Sequence, residues 1–283
     1  MRVLVTGAGG LVGRALAEHC AGLGDEVLTY THQTLDIADQ TQLQPIVEKY
    51  QPEAIINCAA WTDVDGCELD RPRSFQVNAE GPENLAWASR KVGAAFVTIS
   101  TDYVFDGRKS GFYSQRDDPN PESVYAMSKL AGERKAQAAY ARTVIARTGF
   151  VFGQGGKNFL STIVKRGREG RRLQVIADAR GTPTYAPDLA KRLRELAELD
   201  LPGIFHVVNS GNGASFEEFA RVALRAAGNE TAKIEPVSMA SLNRLAPRPQ
   251  NSCLKCLLSE KIGLTPLRRW EDALGEFVAV ENP

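Results

Sequence analysis

The first half of the chain alternates short apolar runs with segments of helical periodicity. Five of these runs are rich in β-branched residues and lack regular polar alternation, which is typical of strands buried on both faces of a parallel sheet. The predicted strands are Val3–Val5, Glu26–Tyr30, Ala54–Asn57, Phe96–Ile99 and Thr143–Ala146. The helices predicted with them are Leu11–Ala21, Gln42–Tyr50, Glu83–Lys91 and Val124–Tyr140. This alternation predicts a doubly wound α/β fold.

The pattern changes after Gly149, where glycine and proline interrupt the elements more often. We therefore predict a first domain over 1–149 and a smaller, discontinuous lobe made of 150–180 and 210–265. Between those two pieces, Ile204–Val208 is an apolar run typical of a buried strand, so 181–209 is expected to rejoin the first domain. A C-terminal helix is predicted over 266–283.

Composition and charge limit the classes of function. The 283 residues include 34 basic and 34 acidic side chains, and this balance argues against nucleic-acid binding, which needs a surplus of cations on one face. No apolar run approaches the roughly 18 residues of a membrane span, and no signal-peptide pattern opens the chain. We expect a cytoplasmic protein that binds neither nucleic acid nor membrane.

The cysteines favour reduced thiols over a disulfide framework or a metal site. They are five in number and scattered along the chain. Only Cys253 and Cys256 have the spacing of metal ligands, and neither a second pair nor a nearby histidine completes a zinc site. We therefore predict no metal.

A glycine-rich turn follows the first predicted strand and opens the first helix. Gly7, Gly10 and Gly13 stand three residues apart. Such glycines let the backbone turn sharply, approach a pyrophosphate and pack the helix closely on the sheet. The spacing alone is a weak indication, and its position after the first strand makes it a dinucleotide motif. We predict that Gly7, Gly10, Leu11, Val12 and Gly13 bind the NAD(P) cofactor, with the glycines forming the turn at its pyrophosphate.

The end of the second strand bears on the choice of cofactor. Folds that select NAD usually place an acidic residue there, which accepts a hydrogen bond from the ribose 2′-hydroxyl. This chain has YTHQ at 30–33, with neither a carboxylate to repel a 2′-phosphate nor an arginine to bind it. We expect NADPH to be used, with NADH also accepted. Asp36 and Ile37 are predicted to contact adenine, and the alternative for Asp36 is to cap the helix near Gln42.

A phenol and an ammonium one helical turn apart are the candidate catalytic pair. Tyr125 and Lys129 stand at i and i+4, which places them on one face of a helix. The sequence STD at 100–102 ends the fourth strand, at the sheet edge where doubly wound folds bind ligands. A hydroxyl there can hold a carbonyl oxygen while Tyr125 protonates it. Because the ordinary pKa of tyrosine is about 10, we expect the Lys129 charge to lower it.

Longer strings make the chain resemble a known family. The glycine motif, Tyr-x-x-x-Lys and Ser-Thr-Asp together are similar to the extended short-chain dehydrogenases/reductases, which have a Rossmann-like fold. Further strings resemble the dTDP-4-dehydrorhamnose reductase family over essentially the whole chain: NCAAWTDVDGCE at 57–68, STDYVFDG at 100–107, YAMSKLAGE at 125–133, RTGFVFG at 147–153 and RPQNS at 248–252. The strings STDYVF and RPxNS are the specific ones, because epimerases and dehydratases share the other motifs.

The resemblance implies roles for the matching residues. By this resemblance, the catalytic group would be Thr101, Tyr125 and Lys129. Lys129 would also bind the nicotinamide ribose. The further cofactor contacts would be Ala59 and Ala60. The substrate contacts would be Thr101, Asp102, Phe150, Asn158, Arg248 and Asn251, of which the last two clamp the nucleotide diphosphate. The chain departs from the family at 147–150, where it has RTGF and the family usually has tryptophan after Arg-Thr-Ser.

The reaction implied is NADPH-dependent reduction of a nucleotide-linked 4-keto-6-deoxyhexose, most specifically of dTDP-4-dehydro-L-rhamnose to dTDP-L-rhamnose. One alternative is another nucleotide-sugar reductase or an epimerase of the same fold. A second is a non-catalytic, cofactor-binding regulatory subunit resembling the beta subunit of methionine adenosyltransferase. Net consumption of NADPH distinguishes the reductase from an epimerase, which regenerates its cofactor. A homodimer is a possible assembly.

Overall fold

The computed structural model describes residues 1–156 and 158–280. Its strands are, in chain order, β1 (Arg2–Thr6), β2 (Glu26–Tyr30), β3 (Ala54–Asn57), β4 (Ala95–Thr101), β5 (Thr143–Thr148), β6 (Val151–Phe152), β7 (Leu173–Ile176), β8 (Arg180–Gly181), β9 (Thr184–Tyr185), β10 (Gly203–His206), β11 (Ala214–Ser215) and β12 (Ile234–Val237). Six of them form a parallel sheet in the order β2, β1, β3, β4, β5, β10. This is the doubly wound, Rossmann-like sheet that the sequence predicts.

The α-helices of the described residues lie on both faces of this sheet and in a smaller lobe beyond it. They are α1 (Leu11–Gly22), α2 (Gln40–Tyr50), α3 (Val64–Leu69), α4 (Arg71–Phe75), α5 (Gly81–Val92), α6 (Val124–Ala139), α7 (Phe159–Arg168), α8 (Ala186–Leu199), α9 (Phe216–Ala226) and α10 (Trp270–Val280). Apolar side chains of α1 and α8 pack on one face, and those of α2, α5 and α6 on the other. Both layers bury residues from β1, β3 and β4, which explains why these strands are continuously apolar.

The order of the strands positions the site. The chain passes from β1 to β2 on one side and then to β3 on the other side of β1. The loops that follow β1 and β3 therefore diverge to opposite faces, and a crevice opens between them at the carboxyl edge of the sheet.

A smaller lobe packs beyond this edge. Its core contains Phe152 of β6 and apolar side chains from α7, α9 and α10, including Leu160, Phe219, Trp270 and Phe277. Three short two-stranded sheets, β6 with β9, β7 with β12 and β8 with β11, complete it. Within the segment 181–209, α8 and β10 pack on and pair with the central sheet. The start of this segment instead pairs with strands of the lobe, through Gly181 of β8 and through β9.

Several boundaries differ from the sequence prediction. Strand β2 is only partly buried, because it lies at the edge of the sheet, so its predicted burial on both faces is wrong. Helix α2 begins two residues before Gln42, since Asp39 caps it by accepting a hydrogen bond from the Thr41 N–H at 2.9 Å. Helix α10 begins at Trp270, after the predicted start at 266, and the predicted residues 281–283 lie outside the described residues.

Candidate active site

The glycine-rich turn lies where β1 ends, against the loop that follows β3. Gly7 has a φ of +69°, and a Cβ added there would lie 2.5 Å from the backbone N of Ala59. A Cβ on Gly13 would lie 2.2 Å from the carbonyl oxygen of Gly7. Gly10 caps α1 and donates its N–H to the same carbonyl at 2.9 Å. Because side chains are excluded here, the amino end of α1 is open to a phosphate group.

A first cavity, of about 450 Å³, extends from this turn past the end of β2. Six of the residues predicted to bind the cofactor line it: Gly7, Gly10, Asp36, Ile37, Ala59 and Ala60. The alternative that Asp36 caps the helix near Gln42 is wrong, because Asp39 caps α2. Trp61 and Arg73 also line this cavity. Trp61 lies within the string at 57–68 but was given no role there, and no motif points to Arg73.

A second cavity, of about 500 Å³, shares part of its wall with the first and contains the predicted catalytic group. Thr101 ends β4, and Tyr125 and Lys129 lie one turn apart on α6. The hydroxyl of Ser123 accepts a hydrogen bond from the Ala126 N–H at 3.2 Å, which fixes the start of α6 and thereby the place of Tyr125. The opposite wall includes Leu11, Val12 and Gly13 from the start of α1.

Burial dominates the electrostatics of the catalytic group. It raises the pKa of the Tyr125 phenol above its ordinary value, and hydrogen bonding with the Thr101 hydroxyl acts in the opposite direction. It also lowers the pKa of Lys129 to about 8, against the opposing effect of the Glu133 charge. The predicted lowering of the Tyr125 pKa is therefore wrong, because desolvation of the phenolate outweighs its neighbours. At neutral pH the phenol is protonated, as a proton donor must be.

A buried ion pair lies beneath Lys129, whose ammonium donates to the carbonyl oxygen of Ile99 at 2.8 Å. Glu133, one turn further along α6, accepts from Nε and Nη2 of Arg147 on β5 at 2.9 and 2.6 Å. The Ser100 hydroxyl donates to the same carboxylate, and both charged side chains are 3% exposed. This pair was not predicted from the sequence, although the i, i+4 spacing of Lys129 and Glu133 places them on one helical face.

Asp102 is a buried carboxyl group at the wall of the second cavity. Its Oδ1 accepts a hydrogen bond from the Thr101 hydroxyl at 3.1 Å, and Oδ2 has no partner among the described residues. Burial raises the pKa of Asp102 to about 6. A Cβ on Gly149 would lie 2.3 Å from this carboxyl group. Glycine at 149, part of the departure from the family pattern, therefore makes room for Asp102.

Phe150 stands between the second cavity and a third, of about 520 Å³, and lines both. Its ring stacks on that of Phe216 with centroids 4.3 Å apart, and it packs against Gly181, where a Cβ would lie 2.3 Å from the ring. Asn158 lines the third cavity as the cap of α7, and its amide donates to the carbonyl oxygen of Gly153 at 2.7 Å.

Arg248 and Asn251 are placed differently from each other. Arg248 lines the third cavity, and its Nη1 and Nη2 donate to Oδ1 and Oδ2 of Asp65 at 3.0 and 2.9 Å. Asn251 is absent from the lining of these three cavities, and its amide donates to the carbonyl oxygens of Lys109 and Gly111 at 2.7 and 2.6 Å. The structure thus brings Arg248 to the candidate site and gives Asn251 the role of holding a neighbouring loop.

The described residues contain neither a metal-binding cluster nor a membrane-crossing helix. Over 1–156 and 158–280, no group of three or more His, Cys, Asp or Glu side chains is arranged to hold a metal ion. Within the same ranges, no helix combines the length and apolar character that crossing a bilayer requires. The five cysteines are all free.

The fold and the site together define a class: a dinucleotide-binding α/β protein with a Tyr/Lys pair at the carboxyl edge of its sheet, as in extended short-chain dehydrogenases/reductases. The family described as the RmlD substrate binding domain matches residues 1–282. The chain belongs to this family.

Named relatives agree with this assignment. A dTDP-4-dehydrorhamnose reductase of Mycobacterium tuberculosis is 38% identical over 284 residues, which cover 98% of this chain and 92% of the relative. The spore coat polysaccharide biosynthesis protein SpsK of Bacillus subtilis is 38% identical over 277 residues, covering 98% and 96%. The crystal structure of a dTDP-4-dehydrorhamnose reductase from Bacillus anthracis, in complex with NADP, has a TM-score of 0.95 and 35% identity over 99% of each chain.

Proposed function

We propose that this chain is an NADPH-dependent oxidoreductase that reduces dTDP-4-dehydro-L-rhamnose to dTDP-L-rhamnose. One observation carries the proposal: Thr101, Tyr125 and Lys129 line one cavity with the amino end of α1, at the carboxyl edge of the sheet. Membership of the family supports the same reaction. We place the reaction in the cytoplasm, and a homodimer stays a prediction.

The first two cavities fit a dinucleotide. Gly7 and Gly13 lie so close to other backbone atoms that a Cβ on either would clash with them. Only glycine fits this tight turn, and the turn brings the N–H groups at the amino end of α1 to the cavity, where they can meet the pyrophosphate. Asp36, Ile37, Ala59 and Ala60 line the first cavity and would contact the adenosine end, and Lys129 lines the second cavity and would bind the nicotinamide ribose. When bound, NADPH supplies the hydride for C4 of the sugar.

Residues of the chain donate the proton to O4 of the sugar and stabilise the charge on that oxygen. The Tyr125 phenol donates its proton to O4 as C4 changes from a ketone to an alcohol. The Thr101 hydroxyl, which donates to Asp102 in this structure, would turn its one hydrogen to the same oxygen and stabilise the negative charge that develops there. The Lys129 ammonium stabilises the tyrosinate that remains after proton transfer, since an opposite charge favours the ionised form of a nearby acid.

The rest of the substrate extends toward the smaller lobe. The unpartnered Oδ2 of Asp102 is available to accept a hydrogen bond from a sugar hydroxyl. Phe150 connects the sugar cavity with the third cavity, where the lining includes Arg166, Arg244 and Arg248. Guanidinium groups bind phosphate oxygens with two parallel hydrogen bonds, so we assign the nucleotide diphosphate to this third cavity. Asn251 then acts by holding the adjoining loop.

Oxidation of NADPH tests the proposal. With dTDP-4-dehydro-L-rhamnose we expect one NADPH consumed per sugar and a product that NMR identifies as dTDP-L-rhamnose. A parallel reaction with dTDP-4-keto-6-deoxy-D-glucose measures selectivity between sugars, and faster turnover there would reassign the substrate. Interconversion of sugars without net loss of NADPH would identify an epimerase. Saturable NADPH binding with no oxidation by either sugar would identify a regulatory subunit.

A further inference from the structure

Arg73 is the one lysine or arginine among the described residues that line the first cavity. It belongs to α4, and its backbone N–H donates to Asp70 at 3.1 Å. Its guanidinium lies 4.8 Å from the centroid of the Trp61 ring, which lines the same cavity. The side chain is exposed, and the contact that holds it is with this aromatic face.

The residues at 30–33, where β2 ends, supply no lysine, arginine or carboxylate to a ligand in this cavity. The Thr31 hydroxyl donates to Oε1 of Gln33 at 3.0 Å, and the Thr31 N–H donates to the hydroxyl of Thr34 at 3.0 Å. A phosphate monoester carries about 1.5 to 2 negative charges at neutral pH. A 2′-phosphate at this end of the cavity would therefore lack a cationic partner if the residues near 30–33 were the only ones available.

We propose that Arg73 is the residue that recognises the 2′-phosphate of NADPH and so sets the preference for NADPH over NADH. The cation–π contact with Trp61 holds the guanidinium near the cavity and leaves its N–H groups free to donate. The guanidinium of Arg73 comes from α4, which is distant in sequence from β2. The sequence at the end of the second strand therefore gives no indication of it. The inference rests on the cofactor placement proposed above.

Arg71 provides a matched control. It is two residues away on the same helix and is also exposed. Its guanidinium lies 5.2 Å from the centroid of the Phe75 ring, and it does not belong to the lining of the first cavity. Arg71→Ala therefore removes the same charge from the same surface without altering the predicted phosphate contact.

Binding of cofactor fragments tests the inference without any turnover. By titration calorimetry we expect the parent protein to bind 2′,5′-ADP more tightly than 5′-AMP. Arg73→Ala should weaken 2′,5′-ADP binding about ten- to hundredfold, as for loss of a hydrogen bond to a charged group, and leave 5′-AMP binding within about twofold. Arg73→Lys should recover part of the loss, since a point charge replaces a planar fork. Arg71→Ala should match the parent.

Kinetics provide a second readout. The ratio of kcat/KM for NADPH to that for NADH should fall in Arg73→Ala by the same factor as the fragment affinity. Equal weakening of 2′,5′-ADP and 5′-AMP would overturn the inference by placing Arg73 on the adenine. An equal loss in Arg71→Ala would overturn it by showing an effect of surface charge alone. If the fragments behave as expected but no sugar is reduced, the cofactor inference stands and the proposed function fails.

Discussion

Burial controls the protonation of the side chains at the centre of the site. It raises the pKa of Tyr125 and of Asp102, the latter to about 6, and lowers that of Lys129 to about 8. The spacing of tyrosine and lysine predicted which residues meet, because helical geometry is local. It did not predict the direction of the Tyr125 shift, because desolvation depends on what the rest of the chain packs around the phenol.

Removal of the Tyr125 hydroxyl tests whether Tyr125 is the general acid. Tyr125→Phe should lower turnover by about a hundredfold or more, the usual contribution of a positioned general acid. NADPH affinity should stay within a few-fold, because the ring and its packing remain. Single-turnover rates and the NADPH dissociation constant measure the two effects. Turnover near that of the parent would remove Tyr125 from the acid role.

The protonation of Lys129 predicts a pH dependence. Since its pKa is lowered to about 8, the ammonium is kept below that pH and lost above it. We expect kcat/KM for NADPH to fall as pH rises through about 8, because the ribose contact and the stabilisation of tyrosinate are lost together. Lys129→Met should reduce both turnover and NADPH affinity and remove this alkaline limb. If kcat/KM for NADPH still falls with the same midpoint pH in Lys129→Met, the titrating group is not Lys129.

At the scale of elements, α6 links the site to the core. Tyr125, Lys129 and Glu133 stand on successive turns of it, and Glu133 binds Arg147 of β5 and Ser100 of β4. The two strands whose carboxyl ends border the site are thereby connected to the helix that carries the acid. The start of this helix at Val124 was predictable from the sequence, whereas the partners of Glu133 were not, because they come from strands before and after the helix.

The Glu133–Arg147 pair should matter for stability. Glu133→Gln leaves the Arg147 charge buried without a counter-ion, and we expect a loss of about 3 to 5 kcal/mol in the free energy of unfolding. Glu83→Gln is the control, because Glu83 pairs with Lys135 at an exposed position where such pairs contribute about 0 to 1 kcal/mol. Urea denaturation measures both. Equal losses in the two variants would contradict the role assigned to the buried pair.

Elements that local sequence patterns determine were predictable, and elements that depend on tertiary packing were not. The central strands and α1 follow from apolar runs and glycine spacing. The π-helical turn Gln76–Glu80 between α4 and α5 has no comparable pattern, and its neighbour Arg73 was missed with it. The position of Arg73 depends on how α4 packs after β3, which composition and periodicity do not specify.

For the whole molecule, the important contact joins the central domain to the smaller lobe. Asp65 of α3 accepts two hydrogen bonds from Arg248 and one from the Ala246 N–H at 2.9 Å. Hydrogen bonding by Arg248 is the main reason that the pKa of Asp65 lies well below its usual range. The guanidinium assigned to the substrate diphosphate is thus already bound to a carboxylate, so the diphosphate has to share or displace that partner.

This arrangement gives Arg248 two separable roles, which two variants distinguish. If Arg248 binds the diphosphate, Arg248→Ala should raise KM for the nucleotide sugar about ten- to hundredfold and change NADPH affinity much less, with partial recovery in Arg248→Lys. Asp65→Asn breaks the ion pair but keeps the guanidinium, so KM should stay near the parent value or fall, because the anionic competitor is gone. Steady-state kinetics with saturating NADPH measures these values. A rise in Asp65→Asn as large as that in Arg248→Ala would mean that Arg248 serves only to join the lobes, and unchanged KM in both would place the diphosphate elsewhere.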